Sequence, residues 1–324
     1  MPDVDDAGVA RCQAALVALT GGTSDSLLLA VSGGPDSMAL LDLVRHSWTG
    51  SVAVATVDHQ LRAGSADEAR LVAAHCASFA LPHAILTPRQ PISGNLQSAA
   101  RDARYHLLQA HAGSIAARWI VTGHHADDQL ETMLMRLARG SGVDGLAGVR
   151  ARNGNVIRPL LGFRKAELAQ WCEAHSLPHV EDPSNINRDF DRVRMRAALA
   201  GFDAVDPLAA VRSAAALAEA ADALDWAAET LAADAIIDEA GRIGLVRGAY
   251  PAALLRRLVI ACLQRIEPGC APRGPAIDRL LASLHTGGQA MVGNVLCHVS
   301  EGSDVWWFSA APPRGKRGED DNPS

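Results

Sequence analysis

The chain has no C-x-x-C pair and no group of cysteine and histidine at zinc-ligand spacing. Its six cysteines, Cys12, Cys76, Cys172, Cys262, Cys270 and Cys297, are scattered over 324 residues. That argues against a zinc-ribbon or dithiol redox module. Isolated cysteines in a reducing compartment act mostly as small apolar residues. No apolar run approaches the ~20 residues of a membrane-spanning helix, so no membrane partner is expected. The opening MPDVDDAGVARCQ is acidic and unlike a secretory or transit peptide; the expected location is cytoplasmic. Lysine is almost missing, with only Lys165 and Lys316 among 30 basic residues. Arginine, which makes up the rest, suits bidentate contact with phosphate. There is also no net positive charge, the formal total being −6. A nucleic-acid contact would therefore need a local basic surface.

What is present supports ordinary globular cores: 48% hydrophobic and 20% charged residues. The length suggests about two domains at ~150 residues each. In the first half, β-rich runs at Leu27–Ser32, Val52–Val57, His83–Leu86 and Trp119–Thr122 alternate with helical patterns at Asp36–His46, Ala66–Phe79, Leu96–Ala112 and Asp127–Arg139. Such alternation predicts an α/β fold, a parallel sheet covered by helices. An alanine-rich helical stretch at 206–240 reads as a connecting helix or helical pair. Residues 241–311 read as a smaller α+β unit with helices Ala252–Ile266 and Ile277–His285 and two strand-like runs ending in VWWF. The expected organisation is a catalytic domain at 1–205, a helical linker at 206–240, a small domain at 241–311 and a disordered tail at 312–324.

The sharpest local signal is Ser32-Gly33-Gly34-Pro35-Asp36-Ser37, between an apolar strand and an apolar-periodic helix. Glycines let the backbone turn tightly and bring its N–H groups near an anion. Asp36 and Ser37 stand at a helix start, where free amides and the dipole favour phosphate. The same residues also make an ordinary Gly-Pro turn before a capped helix. No Gly-Lys-Ser/Thr follows and there is no G-x-G-x-x-G, so neither a Walker loop nor a dinucleotide site is expected.

A second signal is GHHADDQLETMLMRLARGSGVDGLAG at 123–148. On a helix starting near Asp127, Asp128 and Glu131 lie one turn apart on one face. Two such carboxylates repel unless a cation lies between them. Alternatively, an acidic first turn merely complements the helix dipole, and the adjoining histidines are buried or cap the turn. Arg101 and Arg104 recur at i,i+3 on the helical pattern SAARDARYHLL and can present paired charge to phosphate; a solvated basic stripe is the other reading. Arg188, Arg192, Arg194 and Arg196 make the densest basic run. The Trp306–Trp307 pair reads either as a base-stacking platform or as a core strand.

SGGPDS resembles the S-G-G-x-D-S signature of the PP-loop ATP-pyrophosphatase superfamily. Together with GHHADDQLET…RGSGVDGL, VDHQLRAGSADEA at 57–69, IRPLLGFRKAEL at 157–168 and EDPSNINRDFDRVRMR at 181–196, the chain resembles the tRNA(Ile)-lysidine synthetase family over about residues 25–200. The last motif departs from the family at Val193, where asparagine is usual.

The resemblance implies that ATP is bound by Ser32, Gly33, Gly34, Pro35, Asp36 and Ser37, with Asp58, His59, His124 and His125 nearby and Asp127 in the same cleft. It implies lysine recognition and catalysis by Asp128 and Glu131, with Asp36 as a third catalytic residue and the magnesium ligand. It implies contact with the CAU-anticodon isoleucine tRNA through Arg101, Arg104, Arg192, Arg194 and Arg196, and leaves a homodimer open. The expected reaction is ATP-dependent ligation of L-lysine to the wobble cytidine. A PP-loop tRNA sulfurtransferase using Cys76 and Cys172 is the enzymatic alternative. An ammonia-using synthetase acting on a small carboxylate is a second. A nucleotide- or RNA-binding module without activity is the third, and intact SGGPDS and DDQLET motifs argue against it.

Overall fold

The computed structural model describes residues 4–61, 64–89, 96–180, 191–199, 201, 204–272, 274–300 and 302–311. They fall into two compact units, residues 1–218 and 219–324. The tail at 312–324 lies outside the described residues.

The first unit is built on a six-stranded sheet. Its strands are β1 (Leu27–Ala30), β2 (Val52–Val57), β3 (His83–Leu86), β4 (Trp119–Thr122), β5 (Arg152–Asn153) and β6 (Val156–Ile157), in the order β3-β2-β1-β4-β6-β5. All pairs are parallel except the β5–β6 hairpin at one edge. The strands β1, β2, β4 and β6 are apolar because both faces of the sheet are covered. Leu27, Leu29, Val31 and Val121 face one core, with α1 (Val4–Thr20), α2 (Pro35–Ser47), α3 (Ser65–Ser78) and α7 (Lys165–Ala174). Leu28, Ala55 and Ile120 face the other, beneath α4 (Leu96–Ser114) through Leu108 and Ala112. Each fully buried leucine here stabilises the unit by roughly 1.5–3 kcal/mol.

Helix α1 was not anticipated from the sequence. Its inward stripe is Gly8, Cys12, Leu16 and Thr20, spaced by four, and two of those residues are too small to mark a hydrophobic face. A buried carboxylate staples α2 to α7: Trp171 Nε1 donates to Asp42 Oδ2 at 3.0 Å, while Arg45 donates to Asp42 Oδ1 at 2.8 Å.

The chain passes from β1 to β2 and β3 on one side, then returns to place β4 on the other side of β1. The strand order reverses between β1 and β4, which leaves a crevice outside their carboxyl ends. The loop after β1 and the segment after β4 both lie there.

Helix α9 (Pro207–Ala235) is one continuous helix, not a pair. It ends at Ala235; Ile236–Glu239 is already strand β7, so the helical stretch expected to reach 240 is five residues too long. Nothing in AIIDE breaks a helix, and only pairing with β8 (Arg242–Val246) shows the change. The second unit has five antiparallel strands in the order β7-β8-β11-β10-β9, with β9 (Gln289–Val292), β10 (Val295–Val299) and β11 (Val305–Ala310). Helices α10 (Ala252–Ile266) and α11 (Gly274–His285) pack on it around Leu245, Leu258, Leu263, Leu280 and Phe308. Trp306 and Trp307 are both buried in β11, and the Arg242 guanidinium lies 3.8 Å over the Trp307 ring. The tandem tryptophans belong to a core strand. Among the described residues, no helix is long and apolar enough to cross a membrane.

Candidate active site

The first component is the turn between β1 and α2. Gly33 takes φ +89°, and Gly34 caps a helix whose first residue is Pro35, where a missing N–H costs nothing. Ser37 donates to the Gly34 carbonyl at 2.8 Å and accepts the Ser32 amide at 3.2 Å, which closes the loop on itself. Two outside contacts brace it. The Val180 amide donates to Gly33 O at 2.9 Å, and the Cys172 thiol donates to Pro35 O at 3.2 Å. The Gly33 and Gly34 amides have no acceptor among the described residues. Such a run of unpaired N–H groups at a helix start is a cradle for an oxyanion.

The second component is α5 (Ala126–Leu137), entered from β4 through Gly123, His124 and His125. At Gly123 a Cβ would come within 3.1 Å of the Asp36 carbonyl oxygen, so a side chain there would press on the backbone of the glycine loop. His125 is the N-cap, 1% exposed, and its backbone amide donates to Asp128 Oδ2 at 3.2 Å. The His125 ring lies among three carboxylates: Nε2 is 3.4 Å from Asp36 Oδ2 and 3.5 Å from Asp128 Oδ2, and Nδ1 is 3.5 Å from Asp127 Oδ2. Burial alone would push its pKa down; hydrogen bonds to Asp127 and Asp36, with the charges of Asp128 and Asp36, overcome that and raise it to about 10. Nδ1 also lies 3.4 Å from the Asp128 amide, a contact that needs a neutral ring. The imidazolium is the better description, because three anions outweigh one long amide contact.

His125 therefore does not form an open wall of a cleft. It is a buried clamp that joins the glycine loop to the acidic helix. Asp127 is likewise engaged, accepting the Lys165 amide at 2.7 Å at the start of α7. Burial would raise its carboxyl pKa, but His125 and that amide hold it below the usual range. His124 bonds through Nδ1 to Thr122 Oγ1 at 2.9 Å.

Asp128 and Glu131 do share a face, and a cation does lie between them. It is a side chain of the protein. From α8 (Asp191–Leu199), Arg196 Nε donates to Glu131 Oε1 at 2.7 Å and Nη2 to Oε2 at 3.2 Å, with Asp128 Oδ1 4.0 Å away. Glu131 is buried, and its hydrogen bond first among several causes raises the Arg196 pKa. This pairing across 65 residues has no signature in local spacing. Asp36 Oδ1 is buried with no hydrogen-bond partner among the described residues.

The remaining residues divide. Asp58 is buried just past β2, its Oδ1 accepting the Gln60 amide at 2.8 Å, and His59 beside it is partly buried. Arg101 is exposed over the Tyr105 ring at 5.0 Å, whereas Arg104 turns inward over the same ring at 5.3 Å. The two thus do not form one paired stripe. Arg158, just past β6, is 5% exposed, its guanidinium tied to the Arg150 carbonyl at 2.6 Å. Arg194 is exposed on α8. Arg188 and the side chains of Arg192 and Val193 lie outside the described residues, as does most of the EDPSNINRDF segment. All six cysteines are buried. Burial pushes the thiols of Cys76 and Cys172 up to about 11, so neither is disposed to act as a nucleophile.

A glycine turn with free amides at the switch point of a parallel sheet, tied to an acidic helix, defines an α/β protein of the PP-loop class, and residues 9–201 match the family model described as PP-loop domain. A U34-tRNA thiolase from Methanococcus maripaludis has the same fold, with a TM-score of 0.55 and 15% identity, over 66% of this chain and 80% of that one. Over 298 residues the chain is 41% identical to a tRNA(Ile)-lysidine synthase of Novosphingobium aromaticivorans, covering 89% of this chain and 90% of the relative. It is 37% identical over 307 residues to one of Zymomonas mobilis, covering 92% of each. The chain belongs to the tRNA(Ile)-lysidine synthase family within the PP-loop proteins.

Proposed function

We propose that the protein is an ATP-dependent, cytoplasmic ligase that joins L-lysine to the wobble cytidine of the CAU-anticodon isoleucine tRNA, releasing AMP and pyrophosphate. The observation that carries this reading is the clamp at His125. It ties the glycine loop to the acidic helix, so a nucleotide phosphate and an amino-acid cation can meet in one place.

The amides of Gly33 and Gly34 and the hydroxyl of Ser32 hold the departing pyrophosphate, while Ser37 fixes the turn through its bond to the Gly34 carbonyl. The cytidine 2-oxygen attacks the α-phosphorus, forming a C–O–P link as the bond to pyrophosphate breaks. The lysine ε-amine, with a free pKa of ~10.4, then loses a proton to a nearby carboxylate. It attacks the ring carbon, and AMP leaves with the former 2-oxygen. Asp128 and Glu131 bind the lysine cation, in the place that Arg196 holds in its absence. Orienting three reactants together supplies much of the acceleration.

A magnesium ion would neutralise charge on the triphosphate. Asp36 fits as its protein ligand, since Oδ1 is buried and has no hydrogen-bond partner among the described residues. A single carboxylate is in keeping with magnesium held largely by phosphate and water. A homodimer is compatible with this chemistry, which needs only one chain.

The test is mass analysis of an isoleucine tRNA transcript after incubation with the protein, ATP, magnesium and lysine. The expected product carries one lysine, less one water, at the wobble cytidine. An unmodified cytidine, or AMP release that needs neither lysine nor tRNA, would refute the assignment.

A further inference from the structure

A second cluster of nitrogen donors lies on the α4 side of the sheet, apart from the glycine loop. Three elements contribute: His59 just past β2, Arg104 from α4, and Arg158 just past β6. Tyr105 joins them. Arg158 Nη2 donates to the Tyr105 hydroxyl at 3.4 Å, and Arg104 lies over the same ring.

The state of their nitrogens is unusual. Arg104 Nε, Arg158 Nε and His59 Nδ1 are each shielded from solvent, and none has a hydrogen-bond partner among the described residues. Buried polar groups are nearly always paired, and an unpaired one costs about 1–3 kcal/mol, more when charged. Three together, on three different elements, need an explanation. Here burial lowers the Arg104 pKa; Tyr105 offsets part of this, but Arg101 and Arg158 lower it further. Arg136 is also lowered, by burial and then by Arg101. His59 is lowered by burial, then by Arg104, against a smaller opposing effect of Asp58. A neutral His59 can still donate from Nδ1. Two arginines and a histidine thus gather here, with Asp58 the carboxylate that acts on His59.

We propose that His59, Arg104 and Arg158 form a preorganised cradle for a backbone phosphate of the RNA substrate. This rests on the reading above that the substrate is RNA. A phosphodiester carries one charge on two free oxygens, which suits a few fixed donors. The glycine loop already offers its own amides to the nucleotide, on the α2 side of the crevice. A contact of this kind fixes the register of the RNA and reads no base. It holds the reacting nucleotide over the sheet edge while the loop holds ATP.

The experiment uses the full chain and an anticodon stem-loop RNA of CAU sequence. Each phosphate around the wobble cytidine is replaced in turn by a neutral methylphosphonate. With the wild-type protein, one position should weaken binding by about tenfold or more, as expected for loss of hydrogen bonds to a charged group. Arg104→Met should weaken the unmodified RNA by a similar factor and become indifferent to that same methylphosphonate. His59→Gln should show a smaller loss at the same position. The ATP affinity of Arg104→Met, measured separately, should be unchanged. If no methylphosphonate matters to the wild type, or if Arg104→Met responds to all of them as the wild type does, the cradle does not hold RNA. If Arg104→Met instead weakens ATP or pyrophosphate binding and leaves RNA affinity intact, the cradle belongs to the nucleotide and the proposal falls. The methylphosphonate series on wild-type protein does not depend on any variant folding. An RNA held at this phosphate but never modified would refute the ligase assignment and leave the cradle standing.

Discussion

His125 should make the first unit less stable as pH rises through the alkaline range. Its folded-state pKa is raised from 6.5 to about 10. Folding therefore takes up a proton wherever the unfolded ring is neutral and the folded ring is charged. The stabilisation is fully present below about pH 6.5 and is lost as pH rises through the folded value. Between about pH 7.5 and about pH 9.5 the loss comes to at most ~2.5 kcal/mol, from 1.36 kcal/mol per pKa unit with partial titration at the upper end. For a unit of this size that is a fall of about 5–10 °C in melting temperature. The assay is thermal unfolding in a metal chelator at both pH values, for wild type and His125→Gln. The variant cannot take up the proton, so its melting temperature should change less by that amount. Parallel shifts in the two proteins would show that the three carboxylates do not hold an imidazolium, and would refute the clamp as described.

Three further outcomes follow from the packing. Asp42→Ala strands the indole N–H of Trp171 and removes an acceptor from Arg45; it should cost about 1–3 kcal/mol in chemical unfolding. Arg196→Met should cost about 3–5 kcal/mol, because it removes the guanidinium paired with the buried Glu131 carboxylate. Adding Glu131→Gln should recover part of that loss, and purely additive effects would mean that the pair is not formed. Replacing Cys76 and Cys172 together with serine should leave lysidine formation nearly intact. In the native wild type, neither thiol should be alkylated near neutral pH on the timescale that labels the unfolded chain, as mass analysis will show.

The parts of the fold legible in the sequence are those dictated locally. LLLAV, VAVATV and WIVT are short apolar runs bounded by turn residues, so β1, β2 and β4 could be placed closely. The glycine turn follows from its residues alone. The two-residue strands of the β5–β6 hairpin were missed because they are too short to show a period. Helix α1 was missed because glycine and cysteine on its inward stripe hide an amphipathic pattern. The acidic pair Asp128 and Glu131 was legible as a pair, but its guanidinium partner was not, since it comes from a helix 65 residues away. The same holds for His125: its motif marks it as important, but only the fold reveals that it works from below. Spacing along the α4 helix grouped Arg101 with Arg104. The structure regroups Arg104 with Arg158 and His59, because an inward-turned side chain answers to the strands beneath it.

The brace on the glycine turn sets a limit on its portability. Pro35 is held by the thiol of Cys172, and Gly33 by the amide of Val180. A fragment carrying only the first strand, turn and helix would keep the signature hexapeptide but lose the two anchors that fix its curvature. Transplanting this turn to another scaffold would require carrying along a helix encoded some 140 residues downstream.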